Sequence, residues 1–269
     1  MPKLSTDKLL RNYLQVGSIS AQKARGLIPG EGVVQKFGIN SDIDPTSVPE
    51  DISGGSGLYQ GFIEHADAGP CSIVSDSADD SAAGPGARTV RVSGINDSGV
   101  VTVETVTLNG TTPVSLANSY RRIFSTRVSE SGSWDATNAG TITTTLDSDS
   151  SVFSVIPLFD ANGVPFGTGE SQQASFSTAD DEGGLLKRLV VSIRRSGGTS
   201  ATGYLWFKTE GNAPRYRYPF SVIGNDRYEQ IIEGGLYLPP KTDVIVRITY
   251  VSATNANVQA ELDVEKFKL

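Results

Sequence analysis

Between Ala83 and Phe159 apolar and polar residues alternate with period two, and no other feature constrains the fold as strongly. In Thr89-Val90-Arg91-Val92-Ser93, and again from Val101 to Leu108, this alternation turns one set of side chains inward and the other to solvent, as half-buried antiparallel strands require. Gly94-Ile95-Asn96-Asp97-Ser98-Gly99 separates the two runs with residues that reverse the chain readily, so a hairpin is expected there. Asn109-Gly110 marks a second reversal, and Pro113 removes a ladder donor just beyond it. Further strands are expected over Tyr120–Val128 and Gly140–Leu146, joined by short loops, and the simplest topology for them is an antiparallel meander closed into a sandwich.

The alternation returns after Phe159. Strands are expected at Gln172–Thr178, Leu185–Arg195, Ala201–Thr209, Arg215–Val222, Tyr228–Glu233, Thr242–Ser252 and Ala256–Phe267, separated by turn clusters such as Asp180-Asp181-Glu182-Gly183-Gly184. The start of the chain reads differently. Ser5 to Val16 carries Leu9, Leu10, Tyr13 and Leu14 at helical spacing, a short amphipathic helix that needs a surface to lie on, either this chain's own β-domain or a neighbouring subunit. Ser18 to Gly61 is rich in Gly, Pro and Ser with scattered apolar residues, which reads as an extended arm laid across something else. The expected fold is all-β: two antiparallel β-sandwich or jelly-roll-like domains at 61–159 and 160–269, preceded by a helix and arm at 1–60.

Charge and rare residues narrow the functions. With 23 Lys plus Arg against 30 Asp plus Glu the formal net charge is −7, so phosphate backbones and anionic membranes are disfavoured as partners. No run of about 18 apolar residues is present to span a bilayer, and the first residues lack the apolar core of a signal peptide, which points to a product that starts in a cytoplasm. Cys71 and His65 are the only residues of their kinds. Ser-His-Asp, Cys-His or zinc chemistry would have to pass through one of them, and Cys71 reads as a small buried strand residue while His65 reads as a surface residue.

Other candidates read as structure. The acidic groups Asp76, Asp79 and Asp80, then Asp147 and Asp149, then Asp180, Asp181 and Glu182 could offer oxygen ligands to calcium, but none has the spacing of a calcium loop and solvated turns account for them. A glycosidase pair could be drawn from any of the 30 acids, and no β-helix repeat is present. Gly84-Pro85-Gly86 and Gly167-Thr168-Gly169 precede no helical pattern and read as turns rather than phosphate loops. Arg215-Tyr216-Arg217-Tyr218, near Trp206, Phe207 and Phe220, mixes cations and aromatics as sugar or nucleic-acid platforms do. On a regular strand its tyrosines would pack inward and its arginines outward, leaving packing, subunit contact and a carbohydrate surface as its readings. No catalytic, cofactor-binding or metal-binding residue is assigned.

The succession GINSDIDPTSVPEDI, SADDSAAGPGARTVRVSGIND, LNGTTPV, NAGTITT and LYLPPKTDVIVRITYVSATNANVQAELDVEKF, covering the chain from about Gly38 onward, resembles a group of tailed-bacteriophage virion structural proteins. The resemblance implies a non-enzymatic part of a phage particle, assembled in the host cytoplasm: a capsid decoration, cement or head-fibre protein, or alternatively a tail-associated adaptor or receptor-binding protein that takes a host glycan. It implies no catalytic residues. By analogy the chain forms a homotrimer and meets the major capsid protein or another virion protein through residues 1–60. A structural role predicts that Trp134, Trp206 and the tyrosines of the second domain are mostly buried or at subunit interfaces, whereas a glycan-binding role predicts exposed aromatics clustered in a groove.

Overall fold

The structure, a computed structural model, describes residues 22–23, 25–55, 57–58, 68–133, 137–161, 164–194 and 198–269. The expected helix at Ser5–Val16 lies outside them, as do His65 and Trp134. The described residues form strands β1 (Glu31–Ile43), β2 (Glu50–Asp51), β3 (Cys71–Ser75), β4 (Ala87–Asn96), β5 (Val101–Thr107), β6 (Val114–Ser115), β7 (Tyr120–Ser131), β8 (Ile142–Leu146) and β9 (Val152–Ile156). They continue with β10 (Leu158–Ala161), β11 (Val164–Gly167), β12 (Ser175–Ser177), β13 (Glu182–Ile193), β14 (Ser200–Thr209), β15 (Arg215–Ile223), β16 (Arg227–Leu238), β17 (Thr242–Val251) and β18 (Ala256–Lys268). The fold is all-β, and every strand pairing is antiparallel.

Two hydrophobic clusters organise these strands. In the first unit, sheets β6-β3-β8-β9 and β5-β4-β7 share a core of Ile73, Val90, Val92, Tyr120, Ile123, Ile142 and Phe153. Period-two alternation supplies it: in β4, Val90 and Val92 are buried while Arg91 between them is exposed. In the second unit, sheets β1-β18-β13-β16 and β12-β17-β14-β15 share a larger core that includes Leu186, Leu189, Leu205, Val246, Leu262 and Val264. Each such side chain, fully buried, contributes roughly 1.5–3 kcal/mol.

The hairpin between β4 and β5 forms as expected, with Asn96 Oδ1 accepting from the amides of Ser98 and Val100 at 3.1 Å in its turn. The expected meander does not. β7 pairs with the free edge of β4 rather than with β5, and β8 pairs with β3. The segment at Cys71, read as strand, forms β3, and that strand gives β8 its partner.

Residues 31–53, expected within an arm laid across something else, belong to the second unit. β1 runs along β18 from Glu31↔Phe267 to Ile43↔Ala256, and β2 pairs with β17. The strand is hard to read because its inward positions are not a hydrophobic series: Val34, Lys36, Gly38 and Asn40 follow one another. Each has a separate reason. A Cβ at Gly38 would strike the backbones of Ala174 and Ile52, Lys36 donates to the Phe124 carbonyl, and Asn40 Nδ2 donates to Glu50 Oε2 at 2.8 Å.

Candidate functional site

Two places on this frame concentrate charge, and they handle it in opposite ways. The first is the seam between the units. Along β7, Arg122 points into the second unit, where its Nε and Nη2 meet the two oxygens of Asp243 on β17 at 3.0 and 2.7 Å. Ser177 Oγ donates to the same carboxylate at 2.8 Å. Next to it Gln173 Nε2 donates to the Ile123 carbonyl at 3.0 Å, and the Ser171 amide donates to the Thr126 carbonyl at 2.8 Å. A second forked pair lies within the second unit: Arg247 Nε and Nη2 bond Asp51 at 2.6 and 2.9 Å, and its guanidinium lies 5.1 Å from the centre of the Trp206 ring. Forked pairs fix orientation as well as charge, which suits them to holding strands in place.

Lys36 also lies at this seam, beside a depression of about 370 Å³ that reaches Ser125, Glu170 and Glu261. Burial pulls its amine down from 10.5 to about 8, against a smaller upward pull from Glu170.

The second place is the open end of the second core, where a cleft of about 280 Å³ lies between the two sheets. Phe207, Arg215 and Arg217 line it from one sheet, Leu236 from the other, and Asn212 sits in the turn at its rim. The arginines reach it through a bulge. β14 pairs Gly203 with Phe220 and Leu205 with Arg217, so Tyr218 and Pro219 stand opposite Tyr204 alone, and Tyr218 takes a left-handed φ of 50°. Phe220 and Val222 face the core; on a regular strand Tyr218 and Tyr216 would follow them. The extra residue reverses the phase. Arg217 and Arg215 take the face of Leu205 and Phe207, while Tyr216 turns to the other face and is 56% exposed. The inward-tyrosine, outward-arginine arrangement expected from alternation is therefore inverted below the bulge. Pro219 inside the run was the available signal, because proline within a sheet is confined to edges and bulges.

In the cleft the Arg217 guanidinium lies 5.6 Å from the centre of the Phe207 ring. Among the described residues neither Arg215 nor Arg217 forms an ion pair. The nearby acid Glu210 is occupied by Lys241 at 2.8 Å, a contact that holds its carboxyl below the usual range. Tyr237, between the inward Leu236 and Leu238, faces away from the cleft; it is 51% exposed and stacks on Phe267 over the outer face of the sheet, ring centroids 6.4 Å apart and planes 17° from parallel. The arrangement offers two guanidiniums beside aromatic and apolar walls, which is suited to a planar anion attached to a ring or chain.

The remaining residues singled out by sequence do not converge. Cys71 is buried in β3, its thiol pushed up to about 12 by burial. Asp80, expected in a solvated turn, is buried and accepts from Ser75 Oγ at 2.6 Å and from the amides of Ala87, Ala139 and Gly140 at 2.7, 2.8 and 2.9 Å. It pins two loops together. Asp76 Oδ1 accepts from the Thr141 amide at 2.8 Å, and Asp180 and Asp181 pair with Arg121 and Lys268. Among the described residues no three His, Cys, Asp or Glu side chains gather as a metal site would need. Trp206 is buried at 3% exposure, but Tyr216, Tyr237 and Tyr250 are each more than half exposed. The forked pairs were missed in the sequence, although one sign was present: Asp243 borders and Arg247 interrupts an otherwise apolar run from Val244 to Ile248, and a charge in such a run requires a partner.

No family model matches the chain, and no curated protein matches it. Among solved structures it is similar to infectious bursal disease virus of the Gt strain at 9% identity and a TM-score of 0.18, covering 90% of this chain and 78% of that one. The Gx strain structure gives 10% identity and a TM-score of 0.22, over 88% and 77%. The tandem CBM22-1-CBM22-2 domain of Paenibacillus barcinonensis Xyn10C gives 8% identity and a TM-score of 0.23, over 89% and 94%. Similarity of this size establishes neither a shared fold nor a shared role.

Proposed function

We propose that the chain is a non-enzymatic structural component of a tailed-phage particle, a capsid-associated decoration, cement or head-fibre protein assembled in the host bacterial cytoplasm. Its two units are read as β-sandwiches, each a pair of sheets around one core. The observation that carries the reading is the seam: Arg122, Asp243, Ser177 and Gln173 bury their polar groups to hold one unit against the other, which suits a part that transmits force. The phage-like succession of sequence phrases supports it independently. Because 31–53 form part of the body, attachment to the capsid protein falls to residues before Glu31. Self-association as a homotrimer is part of the proposal.

A tail-associated adaptor or receptor-binding protein is the second reading, favoured by the exposed Tyr237 and the arginine-lined cleft. Mass spectrometry and cryo-electron microscopy of purified particles test both. The expected result is many copies over capsid-protein joints; copies confined to the tail would select the adaptor, and absence from the particle would remove both readings. Light scattering of the purified protein at micromolar concentration is expected to give three chains, and a monomer mass would remove the trimer.

A further inference from the structure

We infer that the cleft between Phe207 and Leu236 binds a carboxylate-bearing sugar, a uronate unit of an acidic glycan, with Arg215 and Arg217 taking the carboxylate and Phe207 and Leu236 flanking the ring. Three observations converge on it. First, the chain carries seven more negative than positive charges, yet two adjacent guanidiniums share one cleft with no carboxylate partner among the described residues. Elsewhere in the second unit Arg247 is paired with Asp51, and Arg188 with Glu229 and Asp263. Second, the backbone departs from regular pairing to place these side chains there. Only the bulge at Tyr218 and Pro219 brings Arg215 and Arg217 to the inner face, where regular alternation would have put tyrosines. Third, the walls suit a sugar ring more than a free ion. Phe207 and Leu236 are apolar, and Asn212 adds an amide at the rim. A volume of about 280 Å³ is below the usual range for drug-sized ligands and suits one sugar unit with the rest of the glycan outside.

The ligand class follows from the chemistry. A guanidinium presents paired N–H donors that match the two oxygens of a carboxylate, and Arg217, held over the Phe207 ring, is already oriented for one. A neutral sugar would leave both charges unused. The assignment does not rest on where in a particle the chain sits. Its failure would leave the structural role intact, and absence of the chain from virions would leave the cleft intact.

Calorimetric titration of the full chain with tri-galacturonate, against its fully methyl-esterified form, tests the inference. The acid is expected to bind at least tenfold more tightly than the ester. Arg215→Gln and Arg217→Gln are each expected to weaken binding by tenfold or more, while Arg91→Gln on the distant exposed face of β4 and Tyr237→Ala on the outer face of β16 change nothing. Arg217 covers Phe207, so a lowered melting temperature in its variant would shift the test to the exposed Arg215. Equal binding of acid and ester, no binding at millimolar trisaccharide, or an equal loss in the Arg91 variant would each overturn the site. Hexaglutamate binding as tightly as tri-galacturonate would overturn the sugar and leave an acidic peptide as the occupant.

Discussion

Arg122 and Arg247 are buried and forked onto Asp243 and Asp51, whereas Arg215 and Arg217 stand at the mouth of a cleft without a carboxylate partner among the described residues. All four lie in or beside the same unit, so the difference is not one of compartment or overall charge. It is one of solvation. A guanidinium withdrawn from water is tolerable only with a partner and satisfied hydrogen bonds, and the fold supplies both at Asp51 and Asp243. At the cleft water remains available, the unpaired charge is affordable, and it stays free for a ligand.

The contrast can be broken most forcefully at the buried end. Asp51→Ala strands Arg247 against Trp206 and is expected to lower stability by about 3–5 kcal/mol in urea unfolding; a change below about 1 kcal/mol would show that water already solvates the pair. Asp80→Ala leaves three amides and a hydroxyl without their acceptor and is expected to remove about 2–4 kcal/mol, a loss that thermal melting would register. Lys36→Met should act in the opposite direction, raising stability by about 1–3 kcal/mol near neutral pH, because it replaces a buried amine that has no matched carboxylate.

The pH dependence sharpens that third case. In the unfolded chain Lys36 keeps its proton up to about 10.5, while in the folded chain burial lowers this to about 8. Between those values the unfolded state binds more protons, so stability rises with pH across this window and the full penalty stands below about 8. The methionine variant should lack this rise, and parallel stability curves for the two proteins would count against a charged, buried Lys36. At the exposed end, Arg215→Gln is expected to move stability by no more than about 0.5 kcal/mol, and a loss comparable to that at Asp51 would mean the cleft arginine is structural.

What the sequence made legible follows the same division. Strands whose inward positions are uniformly apolar were found nearly to the residue: Val101–Leu108 contains β5, and Ala256–Phe267 is β18 less one residue. β1 escaped because Lys36, Gly38 and Asn40 occupy its inward positions for reasons of close approach and hydrogen bonding rather than hydrophobicity. The cleft escaped because one extra residue at Tyr218 reverses every side chain beyond it, a change that composition does not register. The residues of the candidate site were therefore singled out as a mixture of cations and aromatics, with Arg215, Tyr216 and Arg217 assigned to the wrong faces.

The pairing of β1 with β18 also governs the order of events during synthesis. Glu31 leaves the ribosome more than two hundred residues before its partner Phe267. At about 5–20 residues per second, β1 waits roughly ten to fifty seconds with one edge uncovered. The first unit, with its sheets drawn from 71–156, can close during that delay, but the second cannot complete its outer sheet until β18 has been made. A nascent chain stalled before Ala256 would present β1 and β13 as open edges at once, the kind of exposed edge through which unfinished chains pair with one another.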